Sequence, residues 1–348
     1  MEFDFTHRSN IDRSKWAKDF ERMAREPWEN EILAFLTDWF SEKDTFEIKT
    51  SGTTGPPKIE LVSRDALIVS AKITIRSFHL KKGDTLLMCL PVKFVAGKMM
   101  LVRAIVGQMK LLALEPTANP VAELNKPIDF AAFTPHQLNN IIQLNPEKLI
   151  FIATAIIGGS PVSQKLQGHL KHIKTRFYET FGMSETLTHA AIKNLNGLNE
   201  SNYFKVLKGF KIKTSNDHRL IIEAPHLKNS PLVTADIVEL IDADTFRWLG
   251  RADDVINSGG LKLFPVLIEK KISSALDKTY FISKRYDEKL GEKIILIIES
   301  EPFSKSKLVS LKSKLNQLLD KFEVPKEIVF ESAFIRNKNG KIIRPKVL

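Results

Sequence analysis

Apolar positions recur every three or four residues between 13 and 40: Trp16, Phe20 and Met23, then Trp28, Ile32, Leu36 and Trp39. That period is helical, and Pro27 divides the stretch into two predicted helices. The pattern changes at Phe46-Glu47-Ile48-Lys49 and Ile59-Glu60-Leu61-Val62, which read as strands flanking a polar, Gly-rich loop. Ser63 then stands as an N-cap, with Asp65 early and a periodic Ala66 to Phe78 behind it. Apolar runs at 85–90, 111–114, 129–133 and 150–153 predict further strands, separated by helical segments. Alternating strands and helices indicate an α/β sheet. From about 203 to 250 the text turns to short strands with tight turns at Ser215-Asn216-Asp217 and Asp242-Ala243-Asp244, a β-rich subdomain. Beyond Gly250-Arg251-Ala252-Asp253-Asp254 it restarts with a helix at 265–276, strands near 279–283 and 293–299, a helix at 304–320 and a strand at 327–330. The expected organisation is an N-terminal helical segment (1–45), a large α/β domain with its β-rich subdomain (46–252) and a small α+β domain (253–348).

A chain of 348 residues, 43% hydrophobic and 27% charged, has room for about two domains and a sizeable core. The single cysteine, Cys89, excludes an intramolecular disulfide framework and a multi-cysteine metal site. No apolar run approaches the ~18 residues that span a bilayer, so no membrane partner is expected. Glu2 and Asp4 stand where a signal peptide would be apolar, and a cytoplasmic location is the default expectation. The net charge is +11, and the segment from Asp254 onward holds 19 Lys/Arg against 12 Asp/Glu. Such a field suits a nucleic acid, a polyphosphate nucleotide, coenzyme A or an acidic protein, or is a solvated basic surface. No nucleic-acid-binding motif accompanies it, so none is expected as partner.

The chemistry starts in the loop Thr50-Ser51-Gly52-Thr53-Thr54-Gly55-Pro56-Pro57-Lys58. Its glycines let backbone N–H groups converge on an anion, its hydroxyls add donors, and Lys58 adds a mobile cation. The spacing is not that of a Walker A loop. The string resembles the phosphate loop of the adenylate-forming (ANL) superfamily of acyl-CoA synthetases, adenylation domains and luciferases. Further motifs of that family follow in order: Ile157-Gly158-Gly159-Ser160, Thr180-Phe181-Gly182-Met183-Ser184-Glu185-Thr186, Thr234-Ala235-Asp236, Gly250-Arg251-Ala252-Asp253-Asp254, Ser258-Gly259-Gly260-Leu261-Lys262 and Gly340-Lys341-Ile342-Ile343-Arg344. The resemblance covers nearly the whole chain after residue 45.

It implies an ATP- and magnesium-dependent acid–thiol ligase that forms an acyl-adenylate and then a coenzyme A thioester; the alternatives are adenylation of another aromatic or small carboxylic acid for coenzyme A or a carrier protein, and a non-catalytic nucleotide-binding remnant. Ser51, Gly52, Thr53, Thr54, Gly55 and Lys58 would hold phosphates. Gly159, Ser160, Phe181, Gly182 and Ser184 would bind ATP, the Gly-Gly-Ser turn and the Phe181 ring at its adenine, with Phe181 in place of the usual Tyr and Ser184 in place of Thr. Glu185 would bind the metal. Asp236 and Arg251 would hold the ribose, with Ala235 replacing the usual Gly. Asp253 would be the hinge on which the small domain moves. Gly259 and Gly260 would leave space for the pantetheine arm, and Lys341 would be the catalytic lysine.

The stretch Leu90-Pro91-Val92-Lys93-Phe94-Val95-Ala96-Gly97 and the segment Phe133-Thr134-Pro135-His136-Gln137-Leu138 resemble the o-succinylbenzoate–CoA ligase branch, which belongs to menaquinone biosynthesis. Arg103, six residues after Gly97, matches the arginine that reads the acid's second carboxylate in that branch, and Lys98 is a second candidate. An unpaired buried cation would be costly in a fatty-acid pocket, whereas an aromatic diacid would use it. Phe94 replaces the family His and Lys93 the preceding Phe. Only about 49 residues precede the phosphate loop, where family members carry a whole α/β subdomain. This resembles a short form, in which residues 13–40 would cap the sheet or meet another subunit, as in a homodimer.

Overall fold

The computed structural model describes residues 1–7, 26–49, 59–336 and 342–344. It divides into two compact units: Met1–Val162 with Leu166–Ile212 and Ile222–Leu232, and Ser163–Lys165 with Lys213–Ile221 and Val233–Leu348.

The first unit runs β1 (Glu2–Asp4), α1 (Pro27–Phe40), β2 (Thr45–Lys49), β3 (Ile59–Ser63), α2 (Arg64–Ser77), β4 (Thr85–Met88), α3 (Val95–Gly107), β5 (Lys110–Ala113), β6 (Ile128–Phe133), α4 (Pro135–Leu144), β7 (Ile152–Ile157), α5 (Gln164–Leu170), β8 (Arg176–Gly182), β9 (His189–Asn194) and β10 (Phe204–Val206). Its main sheet has the order β1-β5-β4-β6-β7-β8-β9-β10. The strands from β5 to β8 are parallel, and β1, β9 and β10 run antiparallel to their neighbours. Strands covered on both faces must be apolar on both. Leu86, Leu87 and Met88 in β4 and Ala155, Ile156 and Ile157 in β7 meet that requirement, all buried. One core gathers Leu87, Ile128, Phe133, Leu138, Ile141, Ile157, Leu166, Leu170 and Phe177.

α2 begins where its N-cap predicts, with the Ala66 amide donating to Ser63 Oγ at 3.2 Å. Pro27 opens α1 at its first turn, where its missing N–H costs nothing. Among the boundaries that differ from the sequence pattern, two have a local cause. The strand expected at 150 begins at Ile152, because Pro146–Phe151 forms a 3-10 segment; an unbroken Leu149-Ile150-Phe151 run does not reveal its own period. The helix expected to reach 276 stops at Lys271, and Ser273 Oγ turns back to donate to Lys270 O at 2.9 Å. β1 has no periodic signature at all; it pairs with β5, and the Met1 amine donates to Ala113 O at 2.8 Å. Phe3 and Phe5 are buried beside it.

α3 is buried along most of its length: Met99, Met100, Leu101, Val102, Ala104 and Ile105 are all buried, as fits a helix inside the protein rather than on it. Its first turn presses on the Leu90-Pro91 backbone. A Cβ at Gly97 would lie 2.4 Å from Pro91 O and 2.7 Å from Leu90 O, so only glycine allows that approach.

In the second unit, β11 (Lys211–Thr214), β12 (Arg219–Glu223), β13 (Leu232–Leu240) and β14 (Thr245–Arg251) lie in the order β14-β13-β12-β11. A second sheet holds β15 (Ile256–Ser258), β16 (Leu261–Leu263), β17 (Tyr280–Asp287), β18 (Gly291–Glu299) and β19 (Glu327–Glu331), packed with α6 (Pro265–Lys271) and α7 (Lys305–Leu318). Ile268, Ile282, Leu296, Leu311 and Leu315 form its core.

Candidate active site

Because β4, β6, β7 and β8 are parallel, their C-terminal ends share one edge of the first unit's sheet. In open α/β sheets that edge is where ligands bind. The expected site segments leave from it: Leu90–Gly97 after β4, Thr134–Gln137 after β6, Gly158–Ser160 after β7, and Phe181–Glu185 at and beyond the end of β8.

Ser51, Gly52, Thr53, Thr54, Gly55 and Lys58 lie outside the described residues, but the flanks of their loop do not. Lys49 pairs with Ile59 in the β2–β3 hairpin and forms a parallel bridge with Phe94, the N-cap of α3. Lys98, one turn into α3, donates its ammonium to Glu47 O at 2.6 Å. Burial holds its pKa below the ordinary lysine value. Lys98 thus ties α3 to the strand that leads into the loop.

At the end of β7 the Gly158 amide donates to Phe133 O at 3.1 Å, joining the β6 and β7 ends. A Cβ at Gly158 would meet Thr180 Oγ1 at 2.6 Å, and that hydroxyl donates to Ile157 O at 3.0 Å. Glu179, buried in β8, accepts the Val162 amide at 3.0 Å and pairs with Lys193 at 2.6 Å. Lys193 lies 4.9 Å from the Phe204 ring centroid, and Phe204 meets Phe181 edge-on at 5.8 Å. This pair braces both the Gly-Gly turn and the ring expected to stack on a base. Glu179 and Lys193 belong to no motif; only their inward positions on adjacent strands reveal them.

The turn after Phe181 is built as tightly. A Cβ at Gly182 would lie 2.2 Å from Thr188 O. Thr186 Oγ1 accepts the Met183 amide at 3.0 Å and donates to Thr188 O at 2.6 Å. Ser184 and Glu185 sit half-buried on the short 3-10 turn Ser184–Thr186. Among the described residues no cluster of three ligating side chains could cage a metal ion. A magnesium ion held mainly by nucleotide phosphates and waters needs only one or two protein carboxylates, and Glu185 can supply one.

Arg103 stands in the middle of α3 and is 2% exposed. Its Nη2 donates to Thr188 Oγ1 at 2.6 Å and its Nη1 to Met100 Sδ at 3.3 Å, while its Nε has no partner among the described residues. Among the described residues no carboxylate pairs with it. Burial alone drives its pKa down to about 9. Arg103 therefore joins the stretch after β4 to the turn that carries Glu185, a link for which the sequence offers no spacing rule. Gln137 ties loops together: its Nε2 donates to Cys89 O at 2.9 Å and Thr117 O at 3.0 Å, and its Oε1 accepts the Thr134 amide at 3.1 Å.

In the second unit two motifs separated in sequence meet by strand register. Asp236 on β13 stands opposite Arg251 on β14, beside a bulge at Ile237/Val238. Arg251 Nη1 is 4.0 Å from Asp236 Oδ2, and its Nη2 is 3.8 Å from Asp253 Oδ2. Trp248 Nε1 donates to Asp236 Oδ1 at 2.8 Å, fixing the carboxylate's orientation. Burial raises the Asp236 pKa, against the lowering effects of Trp248 and Arg251. Asp253 is exposed on the turn Ala252–Asp254. Gly259 (φ +58°) and Gly260 (φ +83°) form the two-residue turn between β15 and β16, whose backbone by itself calls for glycine at both positions.

Lys341 lies outside the described residues, and its flanks are pinned. Arg336 bridges to Ile342, and the Ile343 amide donates to Ile335 O at 2.8 Å. Arg336 forks onto Glu299 at 2.6 and 2.5 Å and holds that carboxyl down at about 2. Arg344 forks onto Glu269 at 2.8 and 3.0 Å and lies 5.4 Å from the Phe281 ring centroid.

Comparison with known proteins agrees with this geometry. Residues 15–213 match the AMP-binding enzyme family. A solved acyl-CoA synthetase (AMP-forming)/AMP-acid ligase II-like protein from Dyadobacter fermentans is 32% identical, covering 94% of this chain and 95% of its own, with a TM-score of 0.65. A 2-succinylbenzoate–CoA ligase from Listeria monocytogenes is 23% identical over 91% of this chain and 72% of its own length. The o-succinylbenzoate CoA synthetase of Bacillus subtilis, solved with its acyl-adenylate intermediate, shares the fold at TM-score 0.71 with 20% identity, over 86% of this chain and 67% of its own. No helix among the described residues is long and apolar enough to cross a membrane. With the mixed α/β fold and the ordered motifs, these matches place the chain in the AMP-binding enzyme family, the adenylate-forming superfamily its motifs resemble.

Proposed function

We propose that the chain is an ATP-dependent acid–thiol ligase whose acid is an aromatic dicarboxylate of the o-succinylbenzoate type and whose thiol is coenzyme A. One observation carries the choice of acid: among the described residues Arg103 is a buried cation with no anion beside it. A charge taken out of water with no counter-charge is costly, and burial of a second carboxylate beside it offsets that cost. The names of the Listeria and Bacillus relatives support the same acid.

The reaction has two halves. The acid's reacting carboxylate attacks the α-phosphorus of ATP, an oxygen–phosphorus bond forms, and the bond to the leaving pyrophosphate breaks. Both reactants are anions, so the site must supply positive charge. Lys58 and the loop donors from Ser51 to Gly55 hold the β- and γ-phosphates. Gly159, Ser160, Phe181, Gly182 and Ser184 hold the adenosine, and Asp236 with Arg251 holds the ribose hydroxyls. Lys341 faces the α-phosphate and the reacting carboxylate as charge builds between them. Glu185 would hold magnesium, which would supply neutralisation of the phosphate charge. In the second half the thiol attacks the acyl carbon and AMP leaves. Movement about Asp253 withdraws Lys341 and brings Gly259 and Gly260 to the thiol's path. The basic excess of the C-terminal segment suits the phosphates of coenzyme A.

The test is thioester formation from o-succinylbenzoate, ATP, magnesium and coenzyme A, followed by chromatography of the acyl-CoA. Formation of the adduct supports the reading. Turnover of fatty or short monocarboxylic acids with none of the diacid would overturn the assignment of the acid. In the same assay Glu179→Ala is expected to raise the KM for ATP about tenfold, because a brace of both adenosine-contacting segments loses its charged hydrogen bonds. The KM for the acid should move far less.

A further inference from the structure

Behind Arg103 lies a buried polar chain that the reaction above does not use. Thr188 Oγ1 lies 3.0 Å from His189 Nδ1, His189 Nε2 lies 3.3 Å from Thr74 Oγ1, and Thr74 Oγ1 donates to Ser70 O at 3.4 Å. Thr74 and Ser70 are fully buried in α2, and His189 is buried at the start of β9.

The donors in this chain can be ordered from its two ends. Arg103 has only donors, so Thr188 Oγ1 accepts from Nη2 and its own hydrogen is free to go to His189 Nδ1. Ser70 O has only lone pairs, so Thr74 spends its hydrogen there and must accept from His189 Nε2. His189 is then the neutral ring with its proton on Nε2, accepting on one side and donating on the other. Burial and the nearby Arg103 charge both push its pKa well below the ordinary histidine value, in agreement with the neutral form. An imidazolium would lack the acceptor that Thr188 needs.

We propose that His189 is a positioning residue for substrate selection: through Thr188 it fixes the Arg103 guanidinium so that its Nε edge stays available to the second carboxylate of the acid. The inference rests on the reading of Arg103 given above and goes beyond it by naming what orients that cation. The turn that carries Thr188 also carries Glu185, so selection of the diacid and the metal-binding turn share one support.

The experiment compares o-succinylbenzoate with 4-oxo-4-phenylbutanoate, the same acid without its ring carboxylate, in the complete enzyme. Kinetic constants are measured for the parent, His189→Leu, His189→Gln, Thr74→Val and Arg103→Met, with the thermal midpoint of each. His189→Leu is expected to raise the KM for the diacid about tenfold, the scale of a weakened hydrogen bond to a charged group, while the KM for the monoacid moves less than about twofold. Glutamine offers one acceptor and one donor, so His189→Gln should restore most of the discrimination. Thr74→Val, nearly isosteric and remote from the acid, should move it in the same direction as leucine, and it decides the matter if His189→Leu does not fold. Equal losses for both acids in His189→Leu and Thr74→Val, or a fall in kcat with no change in diacid KM, would overturn the proposal. If Arg103→Met abolishes the preference for the diacid while the His189 and Thr74 variants leave it intact, the positioning role fails alone. If Arg103→Met also leaves the preference intact, the reading of Arg103 fails with it.

Discussion

Lys341→Ala is expected to lower the rate of acyl-adenylate formation at least ~10²–10³-fold, the scale on which enzymes lose activity when one preorganised donor is removed from a developing anion. The loss exceeds that range if the ammonium supplies most of the positive charge at the α-phosphate. ATP affinity should change little, because the groups proposed to hold adenosine and ribose are elsewhere in the sequence. The second half-reaction, started from preformed acyl-adenylate and coenzyme A, should be affected far less. Single-turnover measurement of each half separates the two. The flanks of Lys341 are firmly held. Arg336 on Glu299 and Arg344 on Glu269 are forked, charge-assisted pairs, and the Arg336–Ile342 bridge closes the chain on itself one residue from Lys341. Equal loss in both halves would contradict the assignment.

The second large effect separates function from stability. Arg103→Met is expected to raise the KM for the diacid about 10²-fold or more, since a buried, charge-assisted contact is lost. The same change should leave the thermal midpoint unchanged or raised. An apolar side chain of similar reach replaces a buried cation that has no counter-charge among the described residues, and such replacements are often neutral or stabilising. A residue kept for packing would show the opposite pattern: a large fall in midpoint and equal losses for every acid. Calorimetry and steady-state kinetics on one preparation read both.

How much of this was legible in the sequence depends on the range of the interaction. Ser63 as a cap and the buried strands followed from local rules, because each depends on a few neighbouring residues. Arg103 stood out because it punctuates the apolar stretch Met99-Met100-Leu101-Val102. The motif pair Asp236 and Arg251 was legible as two strings; their pairing came from strand register, which single-sequence patterns do not give. Trp248, Thr188, His189, Glu179 and Lys193 could not be singled out. Each acts through contacts across strands or between helix and turn. Gly259 and Gly260 teach the reverse lesson. Their positive φ angles explain the glycines by turn geometry alone, so space for a pantetheine arm is a proposal that needs its own test.

The most direct test of the account is pyrophosphate exchange into ATP dependent on added acid, with o-succinylbenzoate and 4-oxo-4-phenylbutanoate at equal concentrations. Exchange isolates adenylation from the thiol step and needs no assumption about coenzyme A. The account predicts strong exchange with the diacid, at least tenfold weaker exchange with the monoacid at sub-saturating concentration, and collapse of that difference in Arg103→Met. Equal exchange with both acids in the parent enzyme, or a preference that survives in Arg103→Met, would contradict it.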